Sequence, residues 1–445
     1  MANLLLLSKK KNKFFCFALD FFVTLPSIMR VLIVNTSEMT GGAAVAARRL
    51  MEALNGSGVK ARMLVRDKQS DAMTVAALTP GWLMRWHFLW ERLCIWLHLR
   101  LQRRHLFDMD IANSGADITC HPWFQEADII HLHWINQGML SLKNLERIFE
   151  SGKPVVWTMH DLWPATGICH HPRECDHYHT HCHNCPLLLY HGSKHDLSYR
   201  TFKKKQKLMQ GKQVHFVACS EWLKGMAEQS ALLQGQSICS IPNPLDLQTF
   251  KPKDRQGARQ RLQLPTDKKL LLFGAVKATD KRKGIDYLIK ACRLLVKQDP
   301  TLKEQVGIVT FGMLSEGLRK VLPFEVYPQG YVADEDTLTD IYSAVNAYVT
   351  PSLEENLPNT IMEAMACGTP CVGFRVGGIP EMIDHKLNGY VADYKSADDL
   401  AEGIRWIVSH KDIPELRQQA VLKVQRCYDE NVVVPQFIQL YQNLL

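Results

Sequence analysis

The 445-residue chain has no uninterrupted apolar run of the ~18 residues that a membrane-crossing helix needs, so no helical span is expected. It has no G-x-x-x-x-G-K-[ST] loop, which removes the usual nucleoside triphosphatase reading, and the glycine loop after its first strand signature is not a G-x-G-x-x-G fingerprint, so a dinucleotide cofactor is not indicated. Acids are in deficit. Against 45 Asp and Glu stand 53 Lys and Arg, a net charge of +8 before 18 histidines are counted, and such a surplus favours anionic partners. Low hydrophobicity is absent too: 46% hydrophobic and 22% charged residues exclude a disordered or collagen-like chain. At roughly 150 residues per domain, the length admits two large domains or three modest ones.

The first 28 residues place Lys9, Lys10, Lys11 and Lys13 before the apolar stretches 14–19 and 21–25, the charge order of a secretory leader. Asp20 splits the apolar part, no small-x-small signal precedes Met29, and a strand signature follows at once from Val31. Either Met29 as the true start or an N-terminal appendage is expected, rather than a working signal. Nine of the thirteen cysteines, Cys16, Cys94, Cys120, Cys219, Cys239, Cys292, Cys367, Cys371 and Cys427, stand singly in the manner of reduced thiols, which points to the cytosol. The other four, Cys169, Cys175, Cys182 and Cys185, are interleaved with His170, His171, His177, His179, His181 and His183. Four thiolates at short spacing fit a tetrahedral structural zinc, with two local disulfides or four free thiols as the alternatives.

Strand and helix signals alternate twice along the chain, which argues for parallel α/β architecture. The expected strands are 31–35, 60–65, 129–133, 155–159 and 215–219 in the first half, then 269–273, 306–311, 347–350, 370–374 and 389–392. Between the halves, Ser240-Ile241-Pro242-Asn243-Pro244-Leu245-Asp246 is a proline-punctuated linker. Two Rossmann-like, doubly wound domains facing across a cleft are expected, at 29–241 and 242–431. In open sheets of this kind ligands bind beyond the carboxyl ends of the strands.

Four segments fall at such ends. Gly41-Gly42 opens a helix after the first strand, where backbone N–H groups can approach an anion or a sugar. His160-Asp161 follows the strand 155–159. Lys277, Lys281, Arg282 and Lys283 crowd the loop before a helix expected over 285–295, a placement the helix dipole opposes unless an anion is bound. Finally, Thr350-Pro351-Ser352-Leu353-Glu354-Glu355-Asn356-Leu357-Pro358-Asn359 carries two acids before a helix, with Glu363 within it. Carboxylates there that accept hydrogen bonds from hydroxyls point to a polyol ligand.

Glu355 and Glu363, in the setting P-S-x-x-E-x7-E-A-M-A-C-G-x-P, resemble the signature of retaining family 4 glycosyltransferases. With Gly41-Gly42, His160-Asp161, Arg282-Lys283-Gly284 and Gly377-Gly378-Ile379-Pro380-Glu381, the resemblance runs from Met29 to the C-terminus. His160-Asp161-Leu162-Trp163 through Cys169 looks especially like the bacterial polysaccharide-building, colanic-acid-type branch. The resemblance implies a GT-B fold and transfer, with retention, of a sugar from a nucleoside-diphosphate sugar to a glycan or lipid-linked acceptor. Glu355 would hold hydroxyls of the donor sugar, with Asn356 and Leu357 beside it, and Glu363 the ribose. Arg282 and Lys283 would hold the diphosphate without a catalytic metal or other cofactor, His160 would meet the sugar at the reacting face, and Gly41 and Gly42 would shape the acceptor and phosphate side. A terminal segment from about 432 to 445 would pack back on the first domain. The family's usual arginine directly after the strand glycine is Ala275 here, so Lys277 and Lys281 compete with Arg282 for the diphosphate role. A nucleotide-sugar epimerase is the alternative within the same fold.

Residues 82–101 place Trp82, Trp86, Leu89, Leu93 and Trp96 on one helical face, with Arg85, Arg92 and Arg103 along its edge and Phe88, Ile95 and Leu99 opposite. Tryptophan beside arginine suits peripheral contact with an anionic membrane, and a buried domain helix is the other reading. The enzyme would then be cytoplasmic, at the inner face of the cell membrane. A nucleic-acid-binding protein would need a contiguous basic stripe, which the distribution of cations does not supply.

Overall fold

The computed structural model describes residues 28–78, 80–277, 280–313, 316–410 and 413–445. The leader-like stretch 1–27, with its lysines and Cys16, lies outside the described residues, as does the side chain of Lys277.

Thirteen described strands form two sheets. The first contains β1 (Arg30–Ser37), β2 (Lys60–Asp67), β3 (Val75–Ala77), β4 (Ile129–Leu132), β5 (Val155–Met159), β6 (His215–Ala218) and β7 (Ser237–Ser240) in the order β3-β2-β1-β4-β5-β6-β7. The second contains β8 (Lys269–Lys277), β9 (Val306–Met313), β10 (Glu325–Pro328), β11 (Ala347–Thr350), β12 (Cys371–Phe374) and β13 (Gly389–Ala392) in the order β10-β9-β8-β11-β12-β13. Every described pairing in both sheets is parallel. Central strands read as continuous apolar runs because both faces are covered. Leu32 and Val34 of β1 face one core, and Val31 and Ile33 face the other. Each sheet reverses its strand order once, between β1 and β4 and between β8 and β11, and such switch points open a crevice at the carboxyl edge.

The chain passes between the two sheets twice, side by side. After β7 the linker reaches Leu245, whose N–H donates to the Tyr428 carbonyl at 2.8 Å, and the Glu430 N–H donates back to the Leu245 carbonyl at 3.0 Å. The helix Ile413–Cys427 packs Ala420 and Val424 into the second half. The helix Glu430–Gln442 instead seats Val433, Val434, Phe437 and Tyr441 against Val31, Ile33 and Leu50 of the first. Burial of each of those four side chains contributes about 2 kcal/mol.

Candidate active site

At the end of β1 the chain turns through Gly41, whose φ of 94° is the left-handed region that glycine adopts freely, into α1 (Gly42–Gly56). The preceding loop is fixed by Glu38, whose carboxylate accepts from the backbone N–H groups of Gln69 at 2.7 Å and Ser70 at 2.9 Å. Across the cleft, the Asn359 side-chain amide donates to the Gly42 carbonyl at 3.1 Å. The paired glycines therefore touch the opening of the helix Asn359–Ala366 that carries Glu363.

Glu355 lies in the loop after β11, which two glycines clamp. A Cβ on Gly284 (φ 67°) would come within 1.8 Å of the Pro351 carbonyl oxygen, and one on Gly377 (φ 58°) within 1.8 Å of the Glu355 carbonyl oxygen. No other residue type fits at either point without moving the backbone that aims Glu355. The Leu353 N–H also donates to the Arg282 carbonyl at 2.7 Å, tying the basic loop to the acidic one.

The two acids already have partners within the protein. Glu355 receives Lys283 Nζ at 2.5 Å, and Glu363 receives Arg49 from α1 at 2.8 Å on Oε1 and the Tyr342 hydroxyl at 2.8 Å on Oε2. The basic loop is likewise compensated, since Arg282 is held by Asp280 at 2.8 and 3.1 Å. Burial opposes the Arg49 guanidinium, but the charge of Glu363 and its hydrogen bond hold its pKa above the usual value. Asn356 spans the cleft: its Oδ1 accepts from the Ser220 hydroxyl at 2.6 Å and its Nδ2 donates to the His160 carbonyl at 3.3 Å. The Leu357 side chain is buried in the second half's core and does not join the charged groups.

His160 sits after β5, half-buried, with Nε2 3.0 Å from His133 Nδ1 and Nδ1 3.6 Å from Cys219 Sγ. Burial lowers its pKa to about 4, against the pull of Asp161, so at neutral pH it is an uncharged hydrogen-bonding group. Asp161 turns inward. It accepts from Trp134 Nε1 at 2.9 Å and the Trp163 N–H at 2.9 Å and meets His170 at 2.7 Å. Burial opposes protonation of His170, yet Asp161 and Asp110, each 2.7 Å from one ring nitrogen, push it up to about 10. That imidazolium locks the 160–170 loop onto the first sheet.

The Gly377–Glu381 segment also acquires a concrete part. The Gly378 N–H donates to the Asn356 carbonyl at 2.8 Å, and the Glu381 carboxylate accepts from the Glu221 and Trp222 N–H groups at 2.9 and 2.6 Å. It thus caps a helix of the other half where the dipole favours an anion. A further ion pair, Arg173 to Glu354 at 2.5 Å, closes the rim.

The cysteine cluster lies on this rim. Cys169, Cys175, Cys182 and Cys185 line, with His171 and Glu355, a cavity of about 690 Å³ between the halves. All four thiols are free, and Cys169, Cys182 and Cys185 are buried. Burial pushes these three up to about 12. Among the described residues no group of three or more His, Cys, Asp or Glu side chains is placed to hold a metal ion, so the zinc expected from the spacing has no assembled site here.

Sequence reasoning missed Arg49, His133, Arg173 and Ser220, and it placed His170 with the cysteine cluster, not between Asp161 and Asp110. Only the His131-x-His133 alternation was a usable signal, because period two puts both rings on one face of β4.

Comparison with known proteins supplies the wider setting. Residues 40–249 match the family model described as Glycosyltransferase Family 4, and residues 267–410 match Glycosyl transferases group 1. A D-inositol 3-phosphate glycosyltransferase of Nocardiopsis dassonvillei is 31% identical over 183 residues, 39% of this chain and 42% of the relative. Another, from Thermobispora bispora, is 30% identical over 282 residues, 60% of this chain and 59% of that protein. The matched stretch thus spans about two fifths of the length of the first of these relatives. Among solved structures, sucrose-phosphate synthase from Thermosynechococcus elongatus superposes with a TM-score of 0.67 at 20% identity, covering 94% of this chain and 99% of that one. HepE from Anabaena in complex with UDP-glucose gives 0.60 at 17% identity, covering 93% and 100%. The fold is GT-B: two parallel-sheet, Rossmann-like domains.

Proposed function

We propose that the chain is a glycosyltransferase that moves a sugar from a nucleoside-diphosphate sugar to a hydroxyl of a glycan or lipid-linked acceptor, with retention at the anomeric carbon. The observation that carries this reading is the convergence of the E-x7-E acids with Lys283 at the carboxyl edge of one sheet, opposite His160 and Gly41-Gly42 at the carboxyl edge of the other.

In this reading Glu355 accepts from hydroxyls of the donor sugar and Glu363 from the ribose. Lys283 and Arg282 hold the diphosphate and stabilise the charge that grows on it as the C1–O bond breaks. The acceptor hydroxyl forms its new bond to C1 on the same face, and its proton passes to the departing phosphate oxygen. His160 supports that assignment of the proton, since an imidazole held near pKa 4 is a poor base at neutral pH. It would orient the sugar instead. Gly41 and Gly42 let backbone approach the acceptor and phosphate side. Among the described residues no helix is long and apolar enough to cross a membrane; the product is assigned to bacterial cell-surface polysaccharide, built at the cytoplasmic membrane face.

A thermal-shift screen of nucleoside diphosphates and their sugar conjugates tests the reading. At least one is expected to raise the melting midpoint of the full chain, and Glu363→Ala is expected to abolish that rise. If none stabilises the protein, the reading is wrong.

A further inference from the structure

The helix α2 (Gly81–His98) is amphipathic in the inverted sense. Its buried side carries Met84 and Ile95 and also two charges, Glu91 with no exposure and Arg92 at 6%. Both are tied to backbone: Glu91 accepts from the Ile111 and Ala112 N–H groups at 2.9 and 2.7 Å, and Arg92 donates to the Leu106 and Met109 carbonyls at 2.7 and 3.2 Å. The opposite side exposes Trp82 (71%), Trp86, Leu89 (57%), Trp90, Leu93 and Leu97. At 100° per residue these six fall within one arc of about 100°. The reading of a buried domain helix describes one face only, and Arg92, expected along the edge of the other, lies on it.

Such a contiguous apolar surface on a folded protein marks an interaction site. Its charge identifies the partner. Arg85, Arg100, Arg103 and Arg104 are exposed on the same segment, and among the described residues none forms an ion pair. The only acid between 80 and 107 is the buried Glu91. A second copy of the chain would set these arginines against their own equivalents, and the segment 1–27 is itself lysine-rich, so neither is complementary. We infer that the exposed face of α2 docks on an anionic lipid bilayer, tryptophan and leucine entering the interface while the arginines meet lipid phosphates. The surface continues to the cleft, because Arg104 and His105 line the cavity beside Glu355. A docked protein would therefore open that cavity toward lipid-borne substrates. The docking itself does not depend on the proposed chemistry.

The test is flotation of the full chain with phosphatidylcholine vesicles containing about 30% phosphatidylglycerol, compared with phosphatidylcholine alone, with no sugar nucleotide present. The expected partitioning onto anionic vesicles is about tenfold greater than onto neutral ones, and Trp86→Glu/Trp90→Glu is expected to abolish it at an unchanged melting midpoint. A second variant, Arg85→Gln/Arg103→Gln, leaves the tryptophans in place and should lower binding to anionic vesicles only. Absence of wild-type binding, or equal binding by wild type and both variants, overturns the inference. So does a dimer that the tryptophan variant splits while vesicles bind neither form.

Discussion

Glu363 is asked to do two things at once. The ribose role needs lone pairs, yet Oε1 already receives Arg49 and Oε2 the Tyr342 hydroxyl. Arg49 is 11% exposed and Glu363 7%, so the pair is sheltered, and a buried partner left alone carries a penalty of several kcal/mol. A ribose that binds Glu363 must therefore compete with the guanidinium. Arg49→Gln keeps a hydrogen-bond donor and removes the charge, and is expected to tighten nucleoside-diphosphate binding by about three- to tenfold, or ~1 kcal/mol. Isothermal titration calorimetry reads this directly, and weaker binding would show that Arg49 works with the nucleotide instead of against it. Glu355 and Glu363 stood out in the sequence because their spacing is local, and Lys283 because cations crowd the loop before a helix. Arg49 did not: its partner is 314 residues away, and helix periodicity says only that it lies on α1. Leu357 shows the converse, a residue inside the motif whose side chain goes to the core.

Among the elements, the short helix Glu221–Glu228 meets the second half at its N-terminal end. Its N-cap is Ser220, whose hydroxyl oxygen accepts from the Leu223 N–H at 3.1 Å while the hydroxyl donates to Asn356 at 2.6 Å. Glu381 adds a carboxylate at the same helix end. Ser220→Ala removes a cap, about 1 kcal/mol, and leaves Asn356 Oδ1 without its donor, roughly another 1 kcal/mol. Urea denaturation should place the variant about 2 kcal/mol below wild type, and a loss within error of zero would mean that the bond across the cleft contributes nothing. Legibility at this scale divides by position in the sheet. Central strands such as β5 and β11 are buried along their whole length and stand out as apolar runs. The overlooked β3, β7 and β10 all lie at sheet edges, where Ser237-Ile238-Cys239-Ser240 and Glu325-Val326-Tyr327-Pro328 pair on one side only and need no such run. Ser240, the last residue of β7, was read as the start of the linker, whose first proline is Pro242.

For the whole molecule, the first sheet's cleft edge is built on histidines of opposite electrostatic fate, and the pH dependence of stability follows from them. Burial lowers His131 to about 3 and His160 to about 4 and drives His133 well below its ordinary value. Each is neutral when folded and takes a proton when unfolded once the pH falls below about 6.5, so each contributes stability above that pH that is lost on acidification. Between pH 6.5 and 5 the loss is about 2 kcal/mol per group, at 1.36 kcal/mol per pH unit. His170 has the opposite sign. Raised to about 10, it contributes stability fully below about 6.5 that drains away as the pH climbs toward 10. Melting midpoints should therefore peak near neutrality and fall on both sides, the acid limb starting well above the carboxylate range. Two substitutions separate the limbs. His131→Gln preserves polar partners for Tyr441 and Thr158, which the ring meets at 2.7 Å each, and should shallow the acid limb alone; His170→Asn should flatten the alkaline limb alone. A profile level from pH 5 to 7, or one that His131→Gln leaves unchanged, would show that these buried rings are not the groups that set the acid stability of the protein.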